Sequence, residues 1–180
     1  FLDRFDAAAR AGFRAVEYVG PYEHPPVAVA ARLKKNGLEQ ALFNLPAGDW
    51  AAGERGIAIL PDRIGEFRKG VETAITYAKA LGCAQVNCLA GIAPAGVASA
   101  ELENIFVENL KFAADRLEKA GIKLLIEAIN TRDIPGFFLS TSKQALAILD
   151  RLGSNNLYFQ YDIYHMQVME GDLARTIEAN

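Results

Sequence analysis

The chain has 180 residues, 51% hydrophobic and 23% charged, with a net charge of −3. This is enough for one globular domain with a substantial core. The balance excludes a basic nucleic-acid face, a like-charged tail and an apolar run of membrane-spanning length.

The first twelve residues, FLDRFDAAARAG, carry apolar positions at helical spacing and stop on Gly12. FRAVEYV follows as a strand, VAVAARLKKNG as a short helix closed by Gly37, and LEQALFNL as the second strand. A long loop, PAGDWAAGERGIAILP, leads to a helix from Asp62 to Leu81. AQVNCL is the third strand. The helix from Ser99 to Ala120 aligns Leu102, Ile105, Phe106, Leu110, Ala113 and Leu117 on one stripe, with Ser99 as its expected N-cap. IKLLIE is the fourth strand, Thr141 or Ser142 starts a helix to Leu152, and NLYFQYD is the fifth strand. A last helix starts at Asp172.

Cys83 and Cys88 flank the third strand, roughly 16 Å apart at strand rise, too far for a disulfide. Neither has zinc-type spacing. Both read as core residues of a reducing, cytoplasmic compartment.

Strict alternation of short apolar strands with helices specifies a parallel sheet covered by helices. A doubly wound nucleotide binder carries a glycine-rich turn after its first strand, whereas this chain has GPYEHPP. The expectation is therefore a (β/α)8 TIM barrel with no nucleotide or other organic cofactor. Such a barrel needs eight strands and about 250 residues. Residues 1–180 are thus expected to form one partial barrel domain of about five strands and six helices, lacking the first strand and the last two strand–helix units. Because the chain opens at Phe1, a native leader would be invisible.

Parallel α/β proteins hold their chemistry at the C-terminal ends of the strands. Here those positions read Glu17 and Tyr18, Asn44, Asn87, Glu127 and Asn130, then Asp162 and His165. Glu127 and Asp162 end adjacent apolar strands, so their carboxylates repel unless a proton or a cation lies between them. Oxygen donors suit Mg2+ or Mn2+ better than zinc. Taken singly, other candidates have ordinary explanations. Asp133 fits a turn, His165 a satisfied structural histidine, Asn87 a loop hydrogen bond, Trp50 a loop anchor and Arg55 a solvated charge.

The segments NLPAGDWAAGERGIA, NCLAG, LIEAIN, DIPGF and QYDIYHMQ together resemble the hydroxypyruvate isomerase family, within the xylose isomerase-like barrels. The 2-oxo-tetronate isomerases are similar in the same segments. The resemblance implies interconversion of hydroxypyruvate and 2-hydroxy-3-oxopropanoate through an enediol, assisted by a divalent metal. It implies Glu127 as catalytic acid–base and metal ligand, Asp162 as metal ligand, and His165 and Asp133 as contacts to substrate oxygens. Further metal ligands and a second glutamate would lie beyond Asn180, so residues 1–180 alone are expected to be inactive. For an anionic substrate, Arg55 is the visible cationic partner, and Asn87 and Trp50 complete the substrate-binding candidates. Two other readings compete: a barrel that only binds sugars, and metal-dependent nucleic-acid repair. The latter needs a histidine-rich zinc site and a basic groove, against two histidines and a charge of −3 here. The expected partner is a small hydroxy or oxo acid, with no nucleic acid and no membrane; a homo-oligomer is compatible with the sequence.

Overall fold

In the computed structural model, which describes residues 1–180, five short strands make one parallel sheet. They are β1 (Ala15–Tyr18), β2 (Glu39–Asn44), β3 (Gln85–Cys88), β4 (Lys123–Glu127) and β5 (Leu157–Gln160). They pair in chain order, every neighbour parallel. The order never reverses, so the sheet lacks the switch point of a doubly wound fold and follows the wall of a TIM barrel. β1 and β5 are the two edges of that wall and do not pair with each other, so the barrel is incomplete.

The helices are α1 (Asp3–Arg10), α2 (Pro26–Asn36), α3 (Ile64–Leu81), α4 (Ser99–Lys119), α5 (Ser142–Leu152), α6 (Ile163–Met169) and α7 (Leu173–Ala179). That is seven rather than the six expected. The addition is α6, whose sequence IYHMQVM has aromatic and β-branched residues and little intrinsic helical signal. Its start is set instead by Asp162, whose Oδ1 accepts the N–H groups of Tyr164 and His165. Two starts also shift. Pro61–Arg63 forms a 3-10 turn ahead of α3, and the N-cap of α4 is Ala98, with Ser99 already inside the helix. Thr141 caps α5 by accepting the Gln144 N–H at 3.2 Å.

Strand periodicity of two separates the sheet's faces. Phe43, Val86, Leu124 and Ile126 face the helices and are fully buried in one cluster with Val71 and Ala74 of α3 and Phe106 and Leu110 of α4. The register puts Asn44 beside Asn87, Asn87 beside Leu125, and Glu127 beside Gln160. Polar residues thus line up on the opposite face, toward the strands' C-terminal ends.

The long loop after β2 is pinned despite its length. Ile57, Ala58 and Ile59 are buried, and Asn109 of α4 donates its amide to the Ala58 carbonyl at 2.8 Å. Gly56, at φ 123°, sits so close to Leu89 that a Cβ there would lie 2.3 Å from the Leu89 carbonyl oxygen. Only glycine fits that crossing. The loops after β3 and β4 are joined in turn by an antiparallel bridge between Ile92 and Phe137.

Candidate active site

Glu127 closes β4 and is 7% exposed. Its neighbours hold both carboxylate oxygens. Asn87 Nδ2 donates to Oε2 at 2.9 Å and also to Asn44 Oδ1 at 3.0 Å, while Gln160 Nε2 donates to Oε1 at 3.3 Å. The result is a lateral chain of hydrogen bonds across β2, β3, β4 and β5. The remaining amide oxygens, Asn87 Oδ1 and Gln160 Oε1, are buried without a partner.

Asp162 lies two residues beyond the end of β5 rather than on the strand, because pairing stops at Gln160 and the chain turns into α6. Ligand atoms of Glu127, Asp162 and His165 all lie within 4.8 Å of one another. Burial first, and the charge of Asp162 second, push Glu127 up to about 7, against the opposing hydrogen bond from Asn87. A carboxylate in that position gains from either a proton or a cation. The donor set fits a hard divalent ion: two carboxylates on one side of a cleft, with like charge to neutralise and oxygen as the donor.

Trp50, Arg55, Glu127, Asp133 and His165 line one cleft of about 310 Å³, walled on its apolar side by Leu89, Ile129 and Phe137. Asp162 opens with Glu127, Gln160 and Glu17 onto an adjoining cleft of about 210 Å³. Arg55 stacks over the Trp50 ring at 4.1 Å and donates through Nη1 to the Trp50 and Glu54 carbonyls. The stack and the backbone contacts fix the guanidinium over the cleft. Asn87 is different. It is fully enclosed and lines neither cleft, so its contact is with Glu127 and Asn44.

On the far side, Asp133 accepts hydrogen bonds from Asn130 Nδ2 at 2.9 Å and Tyr164 Oη at 2.7 Å. These bonds hold its carboxyl below the usual range and raise the Tyr164 phenol. Sequence pattern alone does not point to Gln160 or Tyr164. Gln160 carries one signal: it is the polar residue of an otherwise apolar strand, two before Asp162.

Comparison with known proteins places the chain. The chain is 54% identical over 177 residues to the hydroxypyruvate isomerase of Escherichia coli, covering 98% of this chain and 69% of that protein. It is 48% identical to a 2-oxo-tetronate isomerase of Cupriavidus necator, covering 99% of this chain and 68% of that one. A crystal structure from Brucella melitensis, described as an AP endonuclease of family 2, superposes with a TM-score of 0.95 at 44% identity, over 99% of this chain and 69% of that one. The family model for the xylose isomerase-like TIM barrel matches residues 5–180, and the chain belongs to that family.

Proposed function

We propose that the protein is an isomerase that interconverts hydroxypyruvate and 2-hydroxy-3-oxopropanoate by proton transfer between neighbouring carbons. The observation that carries this reading is the buried Glu127 carboxylate, poised near 7, in one cleft with Arg55, Asp133 and His165. The isomerases cited above, at 54% and 48% identity, supply the substrate class.

The chemistry removes a proton from the carbinol carbon next to a ketone and returns one to the former carbonyl carbon, through an enediol. A base must reach the carbon, and a donor must hold the oxygen that gains negative charge. Glu127 is the base: its environment makes it a carboxylate near neutral pH that accepts a proton readily. Asn87 and Gln160 hold its two oxygens and keep the carboxyl plane fixed. Arg55 binds the substrate carboxylate, its fork preset by the stack on Trp50. His165 and Asp133 contact the substrate hydroxyl and carbonyl oxygens. A Mg2+ or Mn2+ ion, held here by Glu127 and Asp162, would supply Lewis-acid polarisation of those oxygens.

A 2-oxo-tetronate substrate is the second reading, favoured by the similarity to that group. Assays of the intact protein with both acids, after chelation and then with Mn2+ added, separate the two. Higher kcat/KM on hydroxypyruvate is expected. Higher kcat/KM on the four-carbon acid would replace the substrate. No turnover of either would sink the reading.

A further inference from the structure

Asn130 is fully buried in the turn after β4, and its amide has one consistent orientation. Its Oδ1 accepts the backbone N–H of Asp133 at 2.8 Å, a group that can only donate. The amide nitrogen therefore faces the other way, 2.9 Å from Asp133 Oδ2 and 2.8 Å from His165 Nδ1. The backbone N–H of Asn130 also approaches that ring nitrogen, at 3.4 Å. Flipping the amide would set its nitrogen against the Asp133 N–H and its oxygen against the Asp133 carboxylate. A ring nitrogen that faces two N–H donors is an acceptor, so in the neutral imidazole the proton sits on Nε2. Nε2 is the nitrogen turned toward the acids, 4.0 Å from Asp162 Oδ2.

We propose that Asn130 is a positioning residue that locks His165 in its Nε2–H tautomer, so the imidazole meets the Glu127–Asp162 pair as a hydrogen-bond donor and not as a third metal ligand. With its lone pair engaged at Nδ1 and a proton on Nε2, the ring has no nitrogen to offer a cation. The same amide holds the Asp133 carboxylate, so one buried side chain orients two groups of the cleft. The consequence for catalysis rests on the isomerase reading above: a proton-bearing Nε2 stabilises negative charge developing on a substrate oxygen.

The tautomer is read directly by two-bond 1H–15N correlation spectra of the intact, 15N-histidine-labelled protein at pH 8. His165 signals are assigned by their loss in His165→Gln. The expected pattern is Nε2 protonated and Nδ1 bare, unchanged when Mg2+ is added. Asn130→Ala should lower the Nε2–H population and cut kcat about 10-fold or more, with KM changing much less. If that variant does not fold, Asn130→Asp keeps the shape and offers an acceptor to Nδ1, which should move the proton there. An Nδ1–H tautomer in the unmodified protein, loss of the Nε2 proton on adding Mg2+, or an unchanged pattern in the folded variants would overturn the proposal. The assigned tautomer in a protein without isomerase activity would support the role of Asn130 while removing the functional reading.

Discussion

Asn87 Nδ2 lies 2.9 Å from Glu127 Oε2, across two adjacent parallel strands and shut off from solvent. It is the contact that opposes the upward shift of the Glu127 carboxyl. Removing it in Asn87→Ala leaves burial and the charge of Asp162 unopposed, so the carboxyl moves higher. The acidic limb of the kcat/KM profile should then shift to higher pH, and the plateau should fall as well because the carboxyl plane loses one of its two holds. A profile that keeps its limb and loses only plateau rate would show that Asn87 acts by packing alone.

Glu127→Gln keeps the size of the side chain and one oxygen while abolishing proton transfer. Turnover should fall by about 10²-fold or more, and substrate binding should survive far better. Solvent deuterium entering product carbon follows the step directly. Near-normal exchange in this variant would reduce Glu127 to a ligand.

The basis of these two predictions differs in how far it was readable from sequence. Glu127 stood out because an ionisable group ended the apolar run KLLIE. The part played by Asn87 did not, because it depends on the strand register that brings Glu127, two residues past its own neighbour Leu125, within reach. The strand order was legible from the alternation of elements and the missing glycine-rich turn. α6 was not, because a side-chain cap, more than helical propensity, starts it. From sequence alone Asp162 therefore falls at the end of a strand, whereas it begins a helix. Arg55 stands out in the sequence for its charge, but its placement rests on Gly56 and on a loop core that periodicity does not reveal.

Stability should depend on pH through Glu127. Its folded pKa, about 7, is raised above the ordinary 4.5. The folded state therefore binds the extra proton between those values. The associated stability is complete below about 4.5 and is lost as pH rises through 7, a loss of about 3 kcal/mol at most. A divalent cation favours the carboxylate, so its stabilising effect should grow across the same window. Thermal melts with and without Mg2+ at pH 5.5 and pH 8 check both signs. An Mg2+ shift in Tm that is equal at the two pH values would rule out Glu127 as the coupled group.

Asp162 has two separable duties, and one substitution tells them apart. Its Oδ1 caps α6, accepting the Tyr164 and His165 N–H groups at 2.7 and 3.3 Å. Its carboxylate also stands within 4.8 Å of a Glu127 carboxylate oxygen and a ring nitrogen of His165. Asparagine caps helices as well as aspartate does, so Asp162→Asn should leave α6 and the His165 position intact. What it removes is a negative charge and a strong cation ligand. Affinity for Mn2+ should fall by about 10-fold or more, the cost of roughly 1.4 kcal/mol of lost interaction. Activity should recover partly at high Mn2+, and burial, with the charge of Glu17, should then hold Glu127 above its ordinary value. Titration calorimetry with Mn2+, paired with activity across metal concentration, makes the comparison. If the variant binds Mn2+ as tightly as the unmodified protein, Asp162 is a cap and nothing more. If it binds weakly and no Mn2+ concentration restores turnover, the carboxylate has a further role at the substrate.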